Sequence, residues 1–134
     1  MKFDDIMDAY EFVSFDYPFM NRAFISKETK KVYYYSEMGD FEALPDDIED
    51  GSIYLVIPHK IDLNLGKQLV LQFAEEFLPD EFELIASIFS NSGAYASYKI
   101  LLENKGMLQK WYDYENAKAE EALKNWCKEN DLDI

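Results

Sequence analysis

The order of its hydrophobic patterns is the feature that most constrains how this chain folds. Residues 23–26 and 32–36 have strand composition and flank a polar connection of hairpin length, and a third apolar run at 53–57 stops at Pro58. In the second half of the chain, apolar side chains recur every three or four positions, which indicates helices. Strands followed by helices predict an α+β domain rather than alternating βαβ units.

A short amphipathic helix is predicted ahead of the sheet, because five apolar residues fall on one helical face. They are Phe3, Ile6, Met7, Tyr10 and Val13. The three strands are expected to form an antiparallel meander, with one face covered by a C-terminal group of four to five helices packed on it. The length of 134 residues suits a single globular domain over 1–134.

Turn-forming residues predict where the C-terminal helices begin and end. Ser92 is expected to be an N-cap, because its hydroxyl can accept a hydrogen bond from the first turn of the following helix. Gly106 is expected to end that helix in a left-handed conformation. We predict a brief helix with Leu108 and Trp111, and then a separate final helix that carries Cys127.

The charge of the chain is strongly negative, with 27 acidic and 13 basic residues and a net charge of −14. Such a field repels phosphate backbones and anionic lipids, so neither direct nucleic-acid binding nor membrane association is expected. Arg22 is the only arginine in the sequence. Arginine provides the forked donors that phosphate and guanine recognition commonly use, so its scarcity also argues against a nucleic-acid partner.

Cysteine content and the N-terminal sequence predict a cytoplasmic location. Cys127 is the only cysteine and cannot form an internal disulfide, which fits a reducing compartment. The first ten residues contain three acids where a signal peptide needs an apolar core. The longest apolar run, at 53–57, is too short to cross a bilayer.

Aromatic residues concentrate in the second half of the chain, where two tryptophans and four tyrosines lie between positions 91 and 126. At helical spacing such rings usually build a core, and their polar tips then find a partner or water. The alternative is a groove that accepts a peptide or a helix, because tyrosine and tryptophan dominate interface hot spots. The candidate partner-binding residues are Tyr95, Tyr98, Lys99, Trp111 and Tyr112.

The segment GAYASYKILLENKGMLQKWYDYE at 93–115, followed by WCKEN at 126–130, resembles the bacterial uncharacterised protein family 0158. The family pattern has a Gly-Ala-aromatic helix start, an aromatic and a lysine, a glycine turn, a Trp-Tyr pair and a last helix with tryptophan. The matching positions are Gly93, Ala94, Tyr95, Tyr98, Lys99, Gly106, Trp111, Tyr112 and Trp126. LPDDIED at 44–50 and residues 54–58 extend the resemblance over most of the chain.

This resemblance implies a fold but no activity, because the family has none assigned. The chain departs from the pattern at two positions. Lys30 follows the threonine of the hairpin where members often have glycine, and Ser97 stands where they often carry a basic residue. If that base contributes to binding in the family, this chain lacks the contact.

An acidic loop between the second and third strands is the candidate metal site. Its seven carboxylates are those of Glu37, Asp40, Glu42, Asp46, Asp47, Glu49 and Asp50. Carboxylate oxygens suit Ca²⁺ or Mg²⁺, but their spacing does not match a calcium-binding EF-hand loop. A solvated loop is therefore favoured over a metal site, and no metal or other cofactor is predicted.

His59 and Cys127 are the remaining candidates for chemistry. His59 lies near Asp62 in sequence, but a general base needs a nucleophile within reach and the sequence marks none. A histidine on a surface loop is the favoured interpretation. Cys127 follows Trp126, and burial in the core is favoured over reactivity because no histidine or arginine is close in sequence. No catalytic residue is predicted.

Three functions are compatible with these observations. The preferred hypothesis is a non-catalytic cytoplasmic binding or regulatory module that recognises a protein partner, or a second copy of itself. One alternative is an acidic nucleic-acid mimic that binds basic DNA-binding proteins, which the net charge of −14 favours. The other is a divalent-metal-dependent enzyme that uses Asp46, Asp47, Glu49 and Asp50 of the acidic loop.

Overall fold

The computed structural model describes residues 1–39 and 43–133. Its helices and strands, in chain order, are α1 (Phe3–Ser14), β1 (Asn21–Ser26), β2 (Val32–Ser36), β3 (Tyr54–Val56), α2 (Lys67–Phe77), α3 (Phe82–Ile88), α4 (Ala94–Asn104) and α5 (Leu108–Glu129). A helix, a three-stranded antiparallel sheet and then four helices confirm the α+β class. None of the helices in the described residues combines the length and the apolar composition needed to cross a bilayer.

The chain divides into two compact units. The first unit comprises Met1–Leu63 together with Ala122–Ile134, and the second comprises Asn64–Glu121. The first therefore holds α1 and the whole sheet, and the second holds α2, α3 and α4. The single domain expected over 1–134 stays a prediction.

The strand order of the sheet is β2-β1-β3, with both neighbouring pairs antiparallel. The predicted hairpin of β1 and β2 is confirmed, but the predicted meander is wrong because β3 pairs with β1 instead of β2. Burial explains this order. Four consecutive residues of β1 are buried, namely Ala23, Phe24, Ile25 and Ser26. β1 is the most apolar strand, and in the centre of the sheet both of its faces are covered. The long acidic loop then carries the chain past β1 to its other edge.

The turn between β1 and β2 places a lysine in the left-handed region. Lys30 has a φ of 63°, and its N–H donates to the Ser26 carbonyl at 2.9 Å. Glycine adopts this conformation without a steric cost. Lysine at this position therefore carries a small cost in backbone strain.

Separate layers cover the two faces of the sheet in the first unit. On one face, Phe24, Ile48 and Tyr54 form a buried cluster. Half-buried apolar residues pack against this cluster, namely Tyr33, Leu44 and Ile53. Ile48 and Leu44 belong to the acidic loop, so these two apolar side chains of the loop cover this face of the sheet.

The opposite face of the sheet packs against α1. Successive side chains of a strand alternate between faces, so Ala23 and Ile25 point away from Phe24. Phe12 of α1 meets Tyr34 of β2 edge to face, with ring centroids 5.1 Å apart. The predicted α1 stripe is confirmed in its main features. Its buried residues are Ile6, Ala9, Tyr10 and Val13.

In the second unit, the helices indicated by the spacing of apolar residues are confirmed, and the buried residues of α2 are Leu69, Val70, Phe73 and Ala74. Two expectations about helix ends have different outcomes. Gly93 precedes α4 with a φ of 71°, and no side chain caps the helix, so the predicted Ser92 cap is wrong. Gly106 ends α4 with a φ of 67°, as predicted. The Gly106 N–H donates to the Glu103 carbonyl and the Met107 N–H to the Leu102 carbonyl, which satisfies the last carbonyls of the helix.

The two short C-terminal helices predicted from the sequence are one continuous helix. α5 runs for 22 residues, from Leu108 to Glu129. The prediction of a break was wrong because this stretch contains neither glycine nor proline, and most of its residues have good helix propensity. Asp131 follows α5 in the left-handed region with a φ of 54°, and the Leu132 N–H donates to the Cys127 carbonyl at 2.8 Å.

Candidate interaction surface

A series of aromatic rings, here called the ring series, joins the helices of the second unit. Its members are Tyr95, Phe89, Tyr98, Trp111, Phe73, Phe77 and Tyr114. Neighbouring centroids from Tyr95 to Phe73 lie between 4.9 and 5.5 Å apart, and each of these pairs meets edge to face. Such pairs contribute roughly 0.5–1.5 kcal/mol each beyond the burial of their area, so the ring series stabilises the packing of these helices.

The five predicted partner-binding residues divide between this interior and the surface. Tyr98 and Trp111 are buried within the ring series, and Tyr95 is half-buried beside Phe89. Lys99 is exposed, with its Nζ 5.6 Å from the ring centroid of Tyr112, which is 39% exposed. The structure therefore brings Lys99 and Tyr112 together at the surface, and the part of these five residues in binding stays a prediction.

Tyr98 is unusual among the buried rings because its hydroxyl has no hydrogen-bond partner in the described part of the protein. Burial, and then the nearby carboxylate of Glu115, raise the pKa of Tyr98 above its ordinary value. The phenol therefore stays neutral, and its oxygen is buried. This arrangement provides neither a general base nor a nucleophile.

The most exposed aromatic residues lie elsewhere, in the connection between α1 and β1. Phe15, Tyr17 and Phe19 are 86%, 81% and 78% exposed, and we call residues 15–19 the aromatic turn. The sequence interpretation missed this surface because the segment has neither a helical nor a strand period. Three large rings within five residues around Pro18 were the available signal. Rings at this exposure add nothing to the core.

The backbone of the aromatic turn is strained at its tip. The Met20 N–H donates to the Tyr17 carbonyl at 3.1 Å and closes a four-residue turn. Pro18 occupies the second position, and Phe19 occupies the third with a φ of 73°. A turn with proline second and a positive φ third normally has glycine or asparagine at that third position. A bulky aromatic residue is rare there.

A buried histidine anchors the start of the aromatic turn. The Ile61 N–H donates to His59 Nδ1 at 3.1 Å, so Nε2 carries the proton and donates to the Asp16 carbonyl at 2.7 Å. The His59 N–H donates to Asp62 Oδ2 at 3.0 Å. The expectation of a surface histidine was wrong, because His59 is 4% exposed and both ring nitrogens are occupied by the backbone.

Two more buried polar side chains hold the end of the turn. Asn21 Nδ2 donates to the Phe12 carbonyl at 3.0 Å, and Ser36 Oγ donates to Asn21 Oδ1 at 2.6 Å. In addition, the Glu37 N–H donates to the Met20 carbonyl at 2.8 Å. Met20 and Asn21, which directly follow the aromatic turn, are therefore bonded to α1 and to the end of β2.

Three of the carboxylates proposed as metal ligands are bonded to separate partners. Tyr54 donates its hydroxyl to Asp47 at 2.9 Å, and Arg22 pairs with Glu49 at 3.3 Å. Ser52 donates its N–H and its hydroxyl to Asp50, and these bonds lower the pKa of Asp50. Of the remaining loop acids, Asp40 and Glu42 lie outside the described residues. Within residues 1–39 and 43–133, no three acidic, histidine or cysteine side chains are grouped closely enough to hold a metal ion.

A shallow acidic cleft lies in the second unit. Its volume is about 430 Å³. The residues that line it are Glu75, Pro79, Asp80, Phe82 and Glu83. No basic side chain is among them, so the cleft adds to the negative potential of this protein. Cys127 of the first unit offers no nucleophile either, because it is buried and burial raises the pKa of its thiol.

Comparisons with known proteins provide no relative from which a function could be transferred. No protein-family model, curated protein or solved structure matches the chain. The resemblance of residues 93–115 to uncharacterised protein family 0158 therefore stays a prediction.

Proposed function

We propose that this protein is a non-catalytic binding module of the cytoplasm that recognises another protein. The observation that carries the proposal is the aromatic turn, in which three rings are each at least 78% exposed. Large apolar groups that stay in water reduce solubility, and aromatic residues are enriched at the centres of protein interfaces. A cytoplasmic location is supported by the single cysteine, Cys127, which is buried and unpaired.

The chemistry of the other side chains supports binding rather than catalysis. His59 has both ring nitrogens bonded to backbone groups, and Cys127 is buried with a raised pKa. Asp47, Glu49 and Asp50 of the loop are bonded to different partners. A catalytic carboxylate or imidazole needs a free acceptor in reach of substrate. Recognition of a partner by shape and charge does not need such a free acceptor.

Affinity capture under native conditions tests the proposed function. The tagged protein is expected to retain a specific protein that can be identified by mass spectrometry and that rebinds when both are purified. Multi-angle light scattering of the purified chain shows whether the partner is a second copy. A chain that is strictly monomeric and that retains no protein would contradict the proposal.

A second candidate function is mimicry of nucleic acid, and the net charge of −14 favours it. The acidic cleft adds a concave surface without basic side chains. A mimic would bind basic DNA-binding proteins by electrostatic steering, so its affinity would fall steeply as salt is raised. Binding of purified basic DNA-binding proteins that does not change with salt would exclude this candidate.

A further inference from the structure

We infer that the aromatic turn is a preformed docking element for an apolar segment of a partner protein that carries lysine or arginine. This inference rests on the proposed function and names the surface and the chemistry of the partner. Four features of the described residues lead to it: a strained residue at the tip, buried anchors at the base, rings without cations, and local negative charge.

The residue at the tip contributes nothing to the fold that a smaller residue would not. Phe19 has a φ of 73°, and its ring is 78% exposed. Glycine or asparagine would adopt this backbone with less strain. Strained positions persist where they serve a function and where the surrounding structure holds them. The Phe19 ring therefore has its use outside the chain.

The anchors at the base hold the backbone at the start of the aromatic turn and directly after it. Asn21, Ser36 and His59 are buried polar residues, and each belongs to a hydrogen-bond network that ends on the aromatic turn or on the helix before it. Burying a polar group costs stability unless its hydrogen bonds are made. Here those bonds hold an exposed loop rather than a core. A loop that is already ordered loses less conformational entropy when it binds.

In the part of the chain that the structure describes, the three rings of the aromatic turn have no cation over them, whereas six other rings do. Elsewhere, Lys110 lies 4.0 Å from the Phe77 centroid and Lys31 lies 4.6 Å from that of Tyr33. Other rings with a basic side chain over them are Phe3, Phe24, Tyr112 and Tyr114. Within the described residues, none of the three rings of the aromatic turn has such a contact. Their faces are free for a cation from a partner.

The negative charge around the aromatic turn also favours a partner segment that carries lysine or arginine. Asp16 lies within it, and Glu37 is bonded through its backbone to Met20 at its end. Arg22, the next base along the chain, is already paired with Glu49. A further base beside the turn is Lys60, whose backbone N–H donates to Ser14 Oγ at 3.0 Å. A second copy of the chain would bring another net charge of −14, and an anionic membrane would also repel this surface. An apolar protein segment with lysine or arginine meets both the rings and the acids.

A peptide library displayed on phage tests the inference with a defined probe. Random peptides are selected on the wild-type protein, and the enriched peptides are synthesised and titrated. We expect them to combine aromatic or aliphatic residues with lysine or arginine. The double variant Tyr17→Ser/Phe19→Gly should bind them at least about tenfold more weakly, as expected for loss of interface hot spots.

Two matched controls separate docking from folding. Lys30→Gly relieves the same kind of backbone strain in the hairpin turn, and Ile100→Ser removes an exposed apolar side chain from α4. Both should bind the enriched peptides like the wild type. Far-ultraviolet circular dichroism and urea unfolding check that each variant is folded.

Each contrary result overturns a different statement. Basic peptides that bind the double variant as tightly as the wild type would overturn the inference and leave the proposed binding function standing. A library with no enriched peptide, together with no captured protein, would remove the proposed function itself. Enrichment of acidic or uncharged peptides would overturn the chemistry of the partner. Phosphatidylcholine vesicles that bind the wild type but not the double variant would assign the aromatic turn to membranes, and dimerisation lost in that variant would assign it to a second copy.

Discussion

At the scale of a single residue, the buried hydroxyl of Tyr98 in the second unit lowers stability, because it makes no hydrogen bond within the described residues. An unsatisfied buried polar group costs about 1–3 kcal/mol. Tyr98→Phe keeps the ring in the ring series and removes that oxygen, so the free energy of unfolding should rise by about 1 kcal/mol. Urea unfolding of both proteins measures the change. Tyr112→Phe, at an exposed ring, should have no effect, and a Tyr98→Phe protein less stable than the wild type would show that the hydroxyl is bonded.

At Phe19, stability and binding are expected to change in opposite directions. Phe19→Gly relieves a left-handed conformation that costs an ordinary residue about 1–2 kcal/mol, while the added freedom of the unfolded chain offsets about half of that gain. The midpoint of urea unfolding should therefore rise slightly. Lys30→Gly should give a similar rise, because its φ of 63° is similar to the 73° of Phe19. Only Phe19→Gly should weaken partner binding.

The limits of the sequence interpretation are also visible at single residues. Tyr98 and Trp111 were recognised as aromatic residues at helical spacing, and burial of such rings was the favoured reading. His59 is buried because its ring bonds to the carbonyl of Asp16, which lies 43 residues away along the chain. A sequence pattern does not reveal such a long-range hydrogen bond. Phe15 and Phe19 were missed because exposure depends on which neighbours fold over a ring.

Among the elements, the junction between α4 and α5 depends on a left-handed glycine. Gly106 has a φ of 67°, so any residue with a Cβ is strained there, although no atom lies near enough to clash. Gly106→Ala should lower the free energy of unfolding by about 1–2 kcal/mol. Gly51→Ala is the matched control, because Gly51 has an ordinary φ and open space around its Cα. Equal stability of the two variants would contradict the expected effect, and thermal unfolding measures it.

Local sequence patterns predicted the helices and strands better than they predicted which strands pair with one another. α1, the β1–β2 hairpin and the apolar stripe of α2 followed from residue spacing and turn residues, which act over a few positions. The place of β3 beside β1 did not, because strand order depends on which strand gains most from burial on both faces. The break predicted between a brief helix and a separate final helix is absent, because α5 contains no breaking residue between Leu108 and Glu129.

For the whole molecule, burial of ionisable groups predicts a loss of stability in alkali. Burial raises the pKa of Cys127 above its ordinary value of 9.0 and that of Tyr98 above 10.0. The unfolded chain releases these protons at the ordinary pKa values, and the folded chain releases them at higher pH. The folded state therefore holds more protons, and stability falls as pH rises through this range, whereas below it the contribution is fully present.

Urea unfolding from about pH 8 to about pH 11 follows this decline across the ordinary pKa values of cysteine and tyrosine. Tyr98→Phe removes the group whose pKa is raised more. The stability of that variant should therefore decline less steeply with pH than the stability of the wild type. Identical slopes for the two proteins would contradict a raised pKa at Tyr98.

The positions of the two tryptophans allow the halves of this fold to be watched independently. Trp111 belongs to Asn64–Glu121, and Trp126 belongs to the unit that includes Ala122–Ile134. Trp126→Phe and Trp111→Phe each leave one indole whose emission reports on a different unit. For the single domain expected from the sequence, both signals should change at the same denaturant concentration. Two separated midpoints would instead reveal a chain that melts in stages, with the long α5 helix unwinding from one end first.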